Sequence, residues 1–286
     1  MQRNRRTLFE KCNTKRGVGR ILTFCFVLVL ALQVTVTPVD AFSFGGLLKK
    51  VSKKISAAVS SVRSLVDTSS EKTVYSYAEL DRYMSSLFAP TDITVKLGGD
   101  IYVPSNKTIT SVRHKVTMDM QGRTIYSDNP NYTMYLYFQN MTIQNGTFVQ
   151  RVSNSEGFVY AGGSNLKIKD VSFKKSSSAS RVTGLSASGI IGSPNVELTN
   201  VTFDGLTTGI SLRYGAQATL NNSNIKNSQG DAVTLSGYND KKPTFTMTGG
   251  AIKYFKGNGI NAADKSSVTL NNVTVTGGTT RNRYGI

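Results

Sequence analysis

Four charged residues in the second half of the chain have the types that sugar chemistry needs: Asp204, Arg213, Lys226 and Asp231. Taking a proton from beside a sugar carboxylate requires a base, and cations to hold the charge that develops. Arg213 and Lys226 suit base and clamp, with Asp231 close by in sequence. Asp204 and Asp231 offer oxygen ligands of the kind calcium takes. This set describes a polysaccharide lyase acting on uronic-acid-containing glycans, with calcium as the one cofactor it would call for. Hydrolysis needs two carboxylates facing one bond, and Gly230-Asp231-Ala232-Val233 supplies one. The single His, His114, excludes a two-His metal site, and no phosphate-binding loop or cofactor motif is evident. Aromatic faces stack on sugar rings and Asn amides bond to hydroxyls. Tyr214, Tyr238 and Asn261, each on or just after a strand-like segment, are therefore the candidate substrate-binding residues, with Tyr132, Tyr135 and Tyr137 a second aromatic group.

The elements that must position these residues announce themselves as a repeat. A pattern of apolar, any, apolar, any, Asn/Asp/Gly, any, any, apolar recurs seven times. It reads Met118-Met120-Gly122-Ile125, Leu136-Phe138-Asn140-Ile143, Leu166-Ile168-Asp170-Phe173 and Val196-Leu198-Asn200-Phe203. Ala218-Leu220-Asn222-Ile225, Phe245-Met247-Gly249-Ile252 and Val268-Leu270-Asn272-Val275 complete it. Two apolar residues at spacing two make a short strand with one face inward. The fifth position then needs a sharp turn, which Gly reaches freely and Asn or Asp better than other residues. A period in this range means stacked supersecondary units. Stacking would place Asn140, Asp170, Asn200, Asn222 and Asn272 in a ladder at the bend. Between repeats a second strand signal recurs, at Gly157-Phe158-Val159, Gly189-Ile190, Gly209-Ile210-Ser211-Leu212, Asp231-Ala232-Val233-Thr234-Leu235 and Gly259-Ile260. The expected fold is all-β, a right-handed single-stranded parallel β-helix with three strands per coil and helical segments at the amino terminus.

From Val74 onward the chain resembles the pectate-lyase-like right-handed β-helix superfamily. Tyr102-Val103-Pro104-Ser105-Asn106-Lys107-Thr108-Ile109 resembles the segment with which such proteins enter their first coils, and Asn at the bend resembles their ladder. The resemblance implies the fold and leaves activity open, because the superfamily hosts lyases, hydrolases, epimerases, phage depolymerases and non-catalytic surface proteins. Gly230-Asp231-Ala232-Val233 resembles the Gly-Asp-Asp strand of polygalacturonase-like hydrolases, with Ala232 where the second Asp would stand.

The remaining segments bear on location and partners. Seven basic residues from Arg3 to Arg20, the apolar run Ile21 to Leu32 and Val39-Asp40-Ala41 have the order of an export signal, so residues 1–41 are read as a signal peptide and the protein as secreted or held at the cell surface. Cys12 and Cys25, the only cysteines, lie within it. Residues 42–72 read as a basic amphipathic helix and linker whose stretch 45–66 suits contact with a membrane surface, or a cap over the next domain. Residues 73–90 read as a capping helix over Tyr77 to Phe88, and 91–286 as the β-helix. The net charge is +17; the first 41 residues carry seven basic side chains against Glu10 and Asp40, which leaves +12 on the rest. Such a surface attracts anionic polymers, and the export signal points to polysaccharide or cell-wall polymer over nucleic acid. Seven Asn-X-Ser/Thr sequons occur, of which those at Asn140, Asn200 and Asn272 coincide with the expected ladder. The last repeat is followed by a short tail without a helix, so an oligomeric partner or a missing carboxyl-terminal cap is expected. Two functions remain in view: a non-catalytic β-helix that binds acidic polysaccharide, and the lyase.

Overall fold

The computed structural model describes residues 70–85, 92–111, 115–137, 140–154, 156–163, 165–190, 192–263 and 265–278. The expected signal peptide, the basic helix of 45–66 and His114 lie outside them. Among the described residues strand pairing begins at β1 (Glu71–Val74), across the boundary between the stretches expected as linker and as capping helix. Helix α1 (Tyr77–Ser85) follows, where a helix was expected from Tyr77. Ser76 Oγ accepts from the Glu79 amide and the Glu79 carboxylate accepts from the Tyr75 amide, which satisfies amides at the helix start. Leu80 and Met84, one turn apart, are fully buried in the same core as the strands that follow.

Among the described residues every element after the helix is a strand. One sheet contains β1, β2 (Asp92–Leu97), β5 (Lys115–Asp119), β8 (Asn140–Gln150), β10 (Asn165–Lys175), β12 (Asn195–Thr199), β15 (Gln217–Lys226), β17 (Thr244–Lys253) and β19 (Ser267–Asn271), in that spatial order. Shorter strands β3 (Ile101–Val103), β6 (Thr124–Ser127), β13 (Thr202–Asp204) and β20 (Thr274–Thr276) pair alongside. The second sheet runs β4 (Ile109–Ser111), β7 (Met134–Tyr137), β9 (Val159–Gly162), β11 (Thr183–Ser188), β14 (Thr208–Arg213), β16 (Val233–Ser236) and β18 (Ile260–Ala263). Every pairing of named strands is parallel, and neighbours in a sheet are successive passes of the chain, which makes a solenoid of about eight turns. Parallel neighbours need a full crossover between them. Here that crossover is the rest of the coil.

The long sheet is creased where the repeat asks for a turn. Asn145, Asp170, Asn200, Asn222 and Asn272 have left-handed φ between 49° and 59°, and Gly249 has φ 67°. Pairing registers set these positions side by side on successive coils. The Asn200 amide donates to Asp170 Oδ1 at 2.9 Å, and that of Asn145 to Asp119 Oδ1 at 3.1 Å. Strands β8, β10, β15 and β17 continue through the crease, so the coil closes with two sheets, whereas β5 and β6, β12 and β13, and β19 and β20 separate into two arms around it.

Two readings of the sequence shift. Asn140 opens β8, exposed, accepting from the Asn165 amide at 2.9 Å, and the bend of that coil is at Asn145. Its pattern was assembled from two elements: Leu136 belongs to the second sheet and Ile143 to the first, while Phe138 lies outside the described residues. The neighbouring corner is wider, with left-handed φ at both Gln121 and Gly122, and this disguised the frame. Likewise Gly189-Ile190 follows β11 instead of opening it; the equivalent of Gly209-Ile210 is Gly184-Leu185. A Cβ on Gly184 would lie 2.5 Å from the Gly209 carbonyl oxygen and 2.6 Å from the Phe203 ring, so glycine is needed for the approach.

Inside, apolar residues form columns. Phe148, Phe173 and Phe203 stack with centroids 5.1 and 4.8 Å apart and rings within 8° of parallel, and Phe158 lies 5.7 Å from Phe173. From the second sheet Leu185, Ile210, Leu212, Val233, Leu235 and Ile260 point into the same core. In the last described coil Val268, Leu270 and Val275 are only partly buried.

Candidate functional site

With Ile210, Leu212, Val233 and Leu235 buried, alternation turns the residues between them outward. Register then builds one outward rank on the second sheet: Thr110, Tyr135, Tyr160, Ser186, Ser211, Thr234 and Asn261. A parallel rank contains Tyr137, Ser188, Arg213 and Ser236. Thus Tyr135 and Tyr160, distant in sequence, stack with centroids 4.9 Å apart and planes 12° apart. Tyr132 leans on both, at 5.3 and 4.8 Å, and Tyr137 meets Tyr135 edge-on at 4.9 Å.

Polar contacts fix this aromatic cluster. The Tyr135 hydroxyl donates to that of Tyr137 at 3.0 Å, and the Tyr132 hydroxyl donates to Glu156 Oε2 at 2.8 Å. Burial, reinforced by the Glu156 carboxylate, holds the Tyr132 phenol well above its ordinary range. The bond to Tyr137, with burial, pushes Tyr135 up to about 12. Burial also raises Tyr160, against a smaller opposing pull from Arg213. All three phenols are neutral donors at physiological pH.

Beside the cluster is a cleft of about 230 Å³ lined by Tyr132, Glu156, Tyr160, Ser188, Arg213 and Tyr214, among others. The Ser186 hydroxyl on its floor donates to the Glu156 carbonyl. Ser188 is 6 % exposed, with its Oγ turned towards the Tyr160 hydroxyl. Arg213 is exposed and makes no ion pair among the described residues. The cleft therefore has a carboxylate at one end and a free guanidinium at the other. Its rim is held from two coils away, where Lys241 Nζ donates to the carbonyls of Gly189 and Ile190 at 2.8 and 2.9 Å.

The candidate residues distribute unevenly around this cleft. Arg213 and Tyr214 are in it. Tyr238 is next to it, its ring meeting Tyr214 edge-on at 6.0 Å. Asn261 ends the rank four strands from Tyr160, about 19 Å at the usual strand spacing. There its amide donates to Asp231 Oδ2 at 2.8 Å, while Asp231 Oδ1 accepts from the Asn258 amide at 2.6 Å. Asp231 precedes β16, whereas Arg213 ends the adjacent β14, so the two stand at opposite ends of neighbouring strands. Lys226 and Asp204 face outward on the first sheet, where they pair at 3.4 Å, and Asp204 also accepts from the Asn227 amide at 2.8 Å. Asp204 and Asp231 are thus engaged with separate partners, and no group of three His, Cys, Asp or Glu suited to a metal occurs among the described residues. Sequence reasoning missed Tyr160, Glu156 and Ser188, whose signal is the register that sets Tyr160 on Tyr135 and Ser188 beside Arg213.

Residues 188–286 match the family model described as a right handed beta helix region. No curated protein and no solved structure shows significant similarity to the chain. The right-handed crossover is also what parallel strands joined within one sheet almost always adopt. The match over residues 188–286 and the stack of about eight parallel coils show that the fold of this protein is a parallel β-helix.

Proposed function

We propose that this β-helix acts outside the cell as a non-catalytic binding or scaffolding protein, with the second sheet as its face for acidic polysaccharide. The observation that carries the reading is the tyrosine cluster beside the unpaired Arg213. Stacked Tyr135 and Tyr160 present flat apolar area to a sugar ring. Arg213 offers a bidentate fork to a uronate carboxylate, and Ser188 Oγ a polar partner at the base of the cleft. Glu156 at the far end repels a second carboxylate and accepts from hydroxyls, which orients the sugar. The charge of +12 on the residues after the export signal favours encounter with an anionic polymer.

The binding reading is preferred to the lyase because the charges such chemistry needs are dispersed. Lys226 is paired with Asp204 on the first sheet, and Asp231 anchors Asn258 and Asn261 at the other end of the strands from Arg213. Calorimetric titration with oligogalacturonates and with neutral oligosaccharides of equal length tests the proposal. Preferential binding of the acidic series, weakened about tenfold in Arg213→Ala, is expected, since a hydrogen bond to a charged group contributes about 1.5–3 kcal/mol and exposure puts this one at the low end. Equal affinity for both series refutes the proposal. Formation of unsaturated products that Arg213→Ala abolishes establishes the lyase instead.

A further inference from the structure

On the last strands of the first sheet, the outward face ahead of the crease is unlike the rest of this basic molecule. Strand β17 presents Thr244, Thr246 and Thr248. Register sets Thr219 and Thr269 on either side of Thr246, and Asn221 and Asn271 on either side of Thr248. Ahead of the crease the outward residues of β15, β17 and β19 carry no charge, and the lysines of these strands, Lys226 and Lys253, stand beyond it. Rows repeat at the strand spacing, about 4.8 Å, and columns at two residues, about 6.7 Å. Threonine is stiff at χ1, so its hydroxyls are ordered before anything binds. We infer that this hydroxyl and amide lattice on β15, β17 and β19 is a second binding surface, for the face of an ordered, uncharged polysaccharide solid.

Charge complementarity selects the partner. Among these rows an anionic polymer finds no counter-charge, Lys226 and Lys253 lying past the crease, and a cationic one is repelled by the molecule as a whole. Each hydroxyl contact merely exchanges a water for a sugar hydroxyl and contributes little by itself. A partner that is itself periodic meets many lattice points at once, and pre-ordered side chains lose little freedom in doing so. Thr hydroxyls and Asn amides both donate and accept, as sugar hydroxyls do. The surface lies on a different sheet from the tyrosine cleft and does not depend on it.

The test is depletion of the full chain from solution by microcrystalline cellulose at about 1 M NaCl, where surface charge is screened within about 3 Å. We expect adsorption to persist. Thr219→Lys with Thr246→Lys lowers the affinity by about tenfold or more, because ammonium groups must be desolvated against the solid. Thr246→Val, which keeps the β-branched shape and hence the strand, lowers it a few-fold, and Arg213→Ala leaves it unchanged. The inference is overturned if the wild-type chain stays in solution, if salt releases it, or if the lysine variant, folded by circular dichroism, adsorbs as before. Inhibition of ice recrystallisation without adsorption to cellulose also overturns the polysaccharide as occupant. Because Arg213→Ala acts on the cleft alone, failure of either site is separable from failure of the other.

Discussion

Truncating Phe173 to alanine probes the stack where it is most concentrated. The ring is fully buried between Phe148 at 5.1 Å and Phe203 at 4.8 Å, with Phe158 at 5.7 Å across the core. Burying a ring of roughly 200 Å² at about 25 cal/mol per Å² is worth about 5 kcal/mol, of which alanine recovers a fraction. Measured Phe→Ala costs of about 3–5 kcal/mol include the cavity that remains. Three ring neighbours are disrupted together, so the upper end, about 5 kcal/mol, is expected here. Urea unfolding followed by far-ultraviolet circular dichroism measures it, with Tyr126→Ala, whose half-buried ring stacks on Tyr102 at 4.9 Å, as the comparison, expected to cost about 1 kcal/mol. Coils contact only their neighbours, so hydrogen exchange should accelerate first in β8, β10 and β13 and last in β17 and β19. If Phe173→Ala does not fold, Phe173→Leu serves, at about 1–2 kcal/mol. A loss below about 1.5 kcal/mol for alanine, or exchange that quickens equally at both ends, refutes the stacked-column reasoning.

Other perturbations test separate contacts. Gly184→Ala drives a methyl against the Gly209 carbonyl and the Phe203 ring, and should cost about 1–3 kcal/mol in the same unfolding assay, whereas Gly205→Ala meets nothing within 4 Å and pays only for its left-handed φ of 72°. Lys241→Met removes two hydrogen bonds from the Gly189–Ile190 rim and should weaken uronate binding a few-fold by calorimetry while leaving the midpoint of unfolding nearly unchanged. Tyr132, Tyr135 and Tyr160 have folded pKa values raised above those of the unfolded chain. The unfolded state therefore releases these protons first. Their stabilisation is complete below about pH 10 and is lost as pH climbs through the folded values, about 12 for Tyr135, so phenolate absorbance should show late-titrating tyrosines that merge with unfolding.

Legibility in the sequence followed local determination. The bend at Asp170, Asn200, Asn222, Gly249 and Asn272 was readable because a left-handed turn restricts which residues can stand there, and the inward pairs around it alternate at the strand period. Asn140 and Gly189 were misplaced for the complementary reason. An apolar pair before an Asn, or a Gly before an Ile, looks the same at a strand start as at a strand end, and the broad corner at Gln121–Gly122 broke the frame that would have decided. Arg213 and Tyr214 were found by following one strand. Tyr160, Ser188 and Glu156 were not, because their neighbours are one coil away, and what meets across coils depends on coil lengths that vary with every corner.

Register is the claim on which the cleft, the crease and the threonine lattice all depend, and introduced cysteines measure it directly. In a chain with Cys12 and Cys25 replaced by serine no other thiol is present. Ser211 and Thr234 are partners on β14 and β16, so their Cα atoms stand about 4.8 Å apart, inside the range a disulfide spans. Ser211 and Ser236 are offset by two residues, about 8 Å apart and outside it. Mild oxidation should cross-link Ser211→Cys with Thr234→Cys to near completion and leave Ser211→Cys with Ser236→Cys reduced. The reverse pattern, or equal cross-linking of both pairs, would contradict the in-register coil stack.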